Sequence, residues 1–235
     1  MGSGELLRAP AFRIGPLEIT QTVITTWGIM GALLLVSWLG TRQLRLDPSP
    51  GQTVLEGIVG GIEDAIRAVL PDRALDVLPF VGTLWIFIAV ANLVGLVPGL
   101  HSPTADLSLT AALAILVFLS VHVYGIRSGG WKAYLRHYLA PSPLLLPFHF
   151  VSEITRTLAL AIRLFGNIMS LELAALLVLL VVGFLAPVPL LMLHIVEALV
   201  QAYIFGMLAL IYVSSALEVS QQAHSRSPIS KESSA

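Results

Sequence analysis

Long apolar runs, broken at wide intervals by proline, glycine and short polar stretches, set the pattern of this chain. A helix needs about 20 mostly apolar residues to cross a hydrocarbon core of about 30 Å, and five stretches are long enough. The first covers about Ile19–Leu39 and stops at Gly40, ahead of Arg42 and Arg45. The second covers about Leu75–Val97 and ends at Pro98-Gly99; the third covers about Leu107–Ile126. A fourth runs from Phe148 to about Leu185 without a proline, and at ~1.5 Å per residue it reaches about 57 Å. It must tilt, curve or extend beyond the hydrocarbon. Pro187 and Pro189 then turn the chain into a fifth span from about Leu190 to Ser220.

Two segments between these runs read differently. In Val54–Leu70 the apolar positions Leu55, Ile58, Val59, Ile62, Ile66 and Val69 alternate with Glu56, Glu63, Asp64 and Arg67. That helical spacing predicts an amphipathic helix on the membrane surface, preceded by a linker at Asp47-Pro48-Ser49-Pro50-Gly51. Arg127 to Tyr138, with Trp131, Lys132, Arg136 and His137, reads as a basic, aromatic loop before the Pro141/Pro143/Pro147 cluster. The predicted fold is an all-α integral membrane protein with five transmembrane helices and one amphipathic membrane-associated helix. Its last two spans form a long tilted hairpin. The chain reads as a single membrane domain: an N-terminal arm (1–18), a helical membrane region (19–220) and a polar tail (221–235).

Composition agrees and narrows the function. The chain is 56% hydrophobic and 11% charged, whereas soluble domains carry about 25% charged residues. Cysteine is absent, which excludes disulfides, thiolate metal sites and a cysteine nucleophile. A net charge of −1 gives no basic surface for nucleic acid. The segment Met1–Leu17 lacks the apolar core and small-residue cleavage site of a signal peptide. No phosphate-binding loop, HExxH or Gly-x-Ser-x-Gly pattern is found, so no nucleotide or other cofactor site is expected. Arg42, Arg45, Arg127, Lys132, Arg136, Arg226 and Lys231 fall on one side if the N-terminus is outside and five spans alternate. The positive-inside bias therefore predicts N-terminus out and C-terminus in, with Arg8 and Arg13 going against it.

Candidate chemistry lies inside the spans. Glu153, Arg156, Arg163, Asn167 and Glu172 lie on the fourth; His194, Glu197 and Gln201 lie on the fifth. An arginine cannot shed its proton to enter lipid, and a charge at mid-membrane costs at least about 2.5–3.5 kcal/mol. Arg163 therefore marks a functional position, unless it pairs with Glu172 or Glu197 as a structural ion pair. Arg156, Arg163 and Asn167 follow i, i+7, i+11 on one face, with Glu153 one turn before Arg156 as its ion-pair partner. Glu172 falls about half a turn away from Arg163. His194, Glu197 and Gln201 form one stripe at i, i+3, i+7. A carboxylate and an imidazole in a wet cavity suit a proton relay; the same two groups could equally tie helices together. Arg156 lies nearer the inner surface, where it can snorkel. Asn92, His122 and His149 stand singly and read as packing groups, and Gly57-x-x-x-Gly61 reads as a close-approach motif. His194-x-x-Glu197 has ligand spacing but no second copy, so no metal site is expected.

The phrase Arg163-Leu164-Phe165-Gly166-Asn167-Ile168-Met169, with Glu172 nearby and Gln201-Ala202-Tyr203-Ile204-Phe205 in the last helix, resembles subunit a of F-type ATP synthase. Asn92 to Gly99 and Ser102 to Leu107 are similar to the same family. The resemblance implies a stationary subunit in a bacterial inner membrane, with Arg163 facing a rotating c ring between two aqueous half-channels. Glu172 and His194 match the outer half-channel, Asn167 and Gln201 the neighbours of the arginine. Glu153 and Arg156 match positions near the inner mouth, and Asn92 a secondary position. Thr157 departs from the family, which often has proline there, and Glu197, which has no mapped counterpart, reads as an extra channel carboxylate. Implied partners are the c ring, b-type peripheral stalk subunits, the soluble catalytic head and the lipid bilayer. Proton and Na⁺ both remain open as the coupling ion. A self-sufficient secondary transporter and a purely structural membrane subunit are the alternatives.

Overall fold

The structure is a computed structural model that describes residues 10–14, 17–42, 49–97, 100–139, 146–183 and 188–225. Residues 226–235, most of the predicted tail, and much of the N-terminal arm lie outside the described part, as does the proline cluster at 140–145. Among the described residues six α-helices make up the body, in agreement with the all-α expectation. They are α1 (Gln21–Thr41), α2 (Pro50–Val69), α3 (Ala74–Val94), α4 (Leu107–Leu139), α5 (Leu146–Val182) and α6 (Val188–Ser225). Among the described residues five stretches are long and apolar enough to cross a membrane: Gln21–Thr41, Pro71–Val94, Leu107–Ser128, Phe150–Val181 and Val188–Leu217.

Four local findings refine the expected boundaries. The arm contains a short antiparallel ribbon, β1 (Pro10–Ile14) on β2 (Leu17–Thr20), with Ile14 paired to Leu17 and Phe12 to Ile19. Helix α2 begins at Pro50, inside the predicted linker: Ser49 accepts a bond from the Gln52 amide at 3.4 Å, and proline suits the first helical position. The predicted basic loop after Ile126 is helical to Leu139, bent at Gly130, whose φ of 76° only glycine tolerates easily. Helix α6 continues to Ser225, beyond the expected end at Ser220. Helix α5 ends at Val182, a little before the expected Leu185, with Gly183 at φ 96° and its amide bonded back to Leu179 O at 3.2 Å.

All five spans share one core. Ile29 of α1, Phe87 and Ile88 of α3, Ala114 and Val117 of α4, Leu160 and Leu164 of α5, and Ala202 and Phe205 of α6 meet there. A second cluster seats the amphipathic helix: Ile66 and Leu70 pack with Val77, Val81, Val121, Val213 and Leu217. Helix α6 is the central element, packed most extensively on α4 and α3, while α5 leans on α4 more than on its hairpin partner α6. Small residues permit the closeness. At Gly206 an added Cβ would lie 3.0–3.2 Å from three ring atoms of Trp85. Helix α1 is peripheral; Ile29 is its one buried residue among those described.

Candidate functional site

Helix α5 turns Leu160, Ala161, Leu164, Ile168 and Leu171 into the core, the i, i+1, i+4, i+8, i+11 pattern of a buried helix side. Arg163 lies off that face and is exposed, next to exposed Ile162 and Leu158. It forms no hydrogen bond or ion pair among the described residues. The structural pairing with Glu172 or Glu197 is therefore not formed. One turn on, Asn167 is half-buried and donates from Nδ2 to Gln201 Oε1 at 2.8 Å, linking α5 to α6. Gln201 is buried, and its Nε2 has no partner among the described residues.

Glu172 lies elsewhere, as its half-turn offset from Arg163 predicts. Its Oε1 accepts the Ser102 backbone N–H at 3.0 Å, from the loop between α3 and α4. Gly95, just past α3, makes this possible: a Cβ there would stand 2.9 Å from Ser102 Cβ and 3.3 Å from Glu172 Oε1. Behind the carboxylate lies a buried polar chain. Ser102 Oγ contacts Ala91 O at 2.9 Å and Thr104 Oγ1 at 2.6 Å, Thr104 donates to Asn92 Oδ1 at 2.7 Å, and Asn92 Nδ2 donates to Ala198 O at 3.2 Å. Loop, α3 and α6 are thereby joined. His194 on α6 is buried, with Nε2 lacking a partner among the described residues. Both His194 and His101 lie near enough to Glu172 to act electrostatically on it. Glu197 is half-buried on the same helix.

The expected Glu153–Arg156 ion pair is not found. Glu153 Oε1 lies 3.8 Å from His122 Nδ1, which also lies 2.8 Å from Phe118 O. Arg156 instead stacks over the Tyr212 ring, 5.6 Å from its centroid, a cation–π contact. Helical spacing brought the two charges to one face, but groups on α4 and α6 compete for them. His122, read as an isolated packing group, is thus a neighbour of Glu153. The side chain of His149 lies outside the described part.

Sequence reasoning gave no site role to His101, Ser102 or Thr104. The cue was the polar phrase Ser102-Pro103-Thr104-Ala105-Asp106 between two spans, but no periodicity connects a loop to a carboxylate 70 residues later. The arrangement offers two distinct regions: an exposed fixed cation beside an amide pair, and a titratable group of one carboxylate and two imidazoles. Unpaired buried donors such as Gln201 Nε2 carry a penalty of about 1–3 kcal/mol, so these regions call for water or a partner.

Such features define a multi-pass, all-α membrane protein whose last two spans carry most of the ionisable residues inside the membrane. A family model described as ATP synthase A chain matches residues 23–214. The chain is 66% identical over 207 residues to ATP synthase subunit a 2 of Pelobacter propionicus, covering 88% of this chain and 91% of that one. It is 62% identical over 220 residues to ATP synthase subunit a 1 of Hahella chejuensis (94% and 92% covered). With ATP synthase subunit a of Legionella pneumophila strain Paris, it shares 58% over 219 residues (93% and 95% covered). The chain belongs to the ATP synthase subunit a family.

Proposed function

We propose that this chain is the stationary ion-conducting subunit of a rotary F-type ATP synthase, in a bacterial inner membrane with its N-terminus outside. The observation that carries this reading is Arg163: a permanent charge near the middle of a span, exposed, and without a counter-ion among the described residues. Lipid cannot face it cheaply. A ring of c-subunit carboxylates supplies the partner the charge requires, and a b-type peripheral stalk holds the subunit against the soluble head.

A c-subunit carboxylate crosses lipid only when neutral, because burying its charge is expensive. Beside Arg163 the opposite charge favours ionisation, and the ion leaves through an inner half-channel with Glu153 and Arg156 near its mouth. Reloading comes through an outer half-channel containing Glu172, His194 and Asn92, while Asn167 and Gln201 hold the wall between the two routes. Each charge crossing is worth about 2.3 kcal/mol per 100 mV. Protons suit the Glu172/His194 pair, since both groups exchange protons in water.

The test is Arg163→Lys in the assembled enzyme, read as ATP-driven ion pumping and ATP synthesis in vesicles. Both should be lost although a cation remains, because lysine lacks the planar fork and can deprotonate when buried. Pumping at the parental rate would overturn the role given to Arg163.

A further inference from the structure

We propose that His101 is the proton-collecting group at the loop-side mouth of the path, taking protons from solution and passing them to the Glu172 carboxylate. The inference rests on the reading that Glu172 and His194 carry protons. It adds a residue from outside the two long helices, for which that reading has no role.

Placement carries the argument. His101 is exposed on the loop between α3 and α4, and the amide of the very next residue holds Glu172 Oε1 at 3.0 Å. That bond, with the close approach at Gly95, fixes the loop against the carboxylate. Glu172 is half-buried and His194 is buried, so burial increases from exposed His101 through Glu172 to His194. Both imidazoles lie close enough to the carboxylate to interact with it electrostatically. Glu172 comes from α5 and His194 from α6, while α3 presents uncharged Asn92 and Gly95. The further charge on the loop, Asp106, accepts bonds from Thr22 of α1 and from Ser108.

The step balances without a co-reactant. An N–H bond of the His101 imidazolium breaks, an O–H bond forms on Glu172, and neutral His101 regains a proton from water or buffer. An exposed imidazole can both bind and release a proton and meets dissolved proton donors directly; a half-buried carboxylate meets them poorly. Hydronium at about pH 8, roughly 10⁻⁸ M, arriving at ~10¹⁰ M⁻¹s⁻¹, delivers only about 100 protons per second to one group. At about pH 6 the supply is some hundredfold larger, and a collector is no longer needed.

The experiment uses the complete membrane sector in vesicles, with potential-driven proton flux in weak buffer, comparing the parent with His101→Gln, His101→Asn and Glu172→Gln. Both His101 variants should lose at least about threefold in flux at about pH 8. They should match the parent at about pH 6 and recover at high pH when free imidazole is added. Glu172→Gln should be slow at both pH values and insensitive to imidazole. If the His101 variants conduct normally at high pH while Glu172→Gln is slow, the inference fails and the underlying reading stands. If Glu172→Gln also conducts normally, the reading itself fails, and His101 with it. A loss in the His101 variants that is equal at both pH values and not rescued by imidazole means a positional role and overturns proton delivery.

Discussion

Replacing Gly95 by alanine adds one methyl group at the point where α3, the loop and α5 converge. The new Cβ would lie 2.9 Å from Ser102 Cβ, 3.4 Å from the Ser102 amide nitrogen and 3.3 Å from Glu172 Oε1. Backbone strain plays no part, since φ at Gly95 is −62°. The contacts themselves must give way, and the Ser102 side cannot yield easily because its Oγ is held by Ala91 and Thr104. Overpacking of this kind costs about 1–3 kcal/mol, and the amide bond to the Glu172 carboxyl that it displaces is worth about 0.5–3 kcal/mol. At ~1.4 kcal/mol per decade, the fraction of molecules with Glu172 seated on the loop falls about 10- to 100-fold. Passive proton flux through the membrane sector should drop by a comparable factor. Gly60→Ala is the control, because its Cβ meets nothing within 4 Å. The strain should also shrink in a Ser102→Gly background, which removes the nearest obstructing atom. Parental flux in Gly95→Ala would refute the seating of Glu172 on Ser102.

Two further outcomes concern the scaffold. Gly206→Val would drive side-chain atoms into the Trp85 ring, now 3.0–3.2 Å from a Cβ, and destabilise the subunit by about 1–3 kcal/mol. A lowered thermal transition that Trp85→Leu restores is the expected signature; an unchanged transition contradicts that interface. Asn92→Leu removes the link between Thr104 and Ala198 and should cost about 1–3 kcal/mol. Heating the purified subunit while following near-UV circular dichroism checks this, and stability at or above the parent's would argue against the polar chain.

The spans were legible because length and apolar content suffice, and the structure finds all five within a few residues of their expected places. Arg163 was legible for the same reason: a charge in an apolar run stands out without any tertiary knowledge. Ends of elements were harder. Ser49 and Pro50 form a good helix start, yet the prolines around them made the stretch read as a linker. Trp131–Leu139 is rich in helix formers, but its charges and Gly130 made it read as a loop. The paired strands at Pro10–Thr20 escaped because each is short. Partner choice was the least legible. Spacing put Glu153 beside Arg156, but His122 and Tyr212 come from distant parts of the chain and draw the two charges apart. His101 and Ser102 reach Glu172 only through folding.

The polar chain from Ser102 through Thr104 and Asn92 to Ala198 has a mechanical consequence. It fastens the loop to the central helix of the bundle, so sideways load on α6 is shared with the peptide that grips Glu172. Under the rotary role proposed above, a static part pressed by a turning neighbour would gain stiffness where alignment matters most, and torque would be met by a truss instead of a single rod.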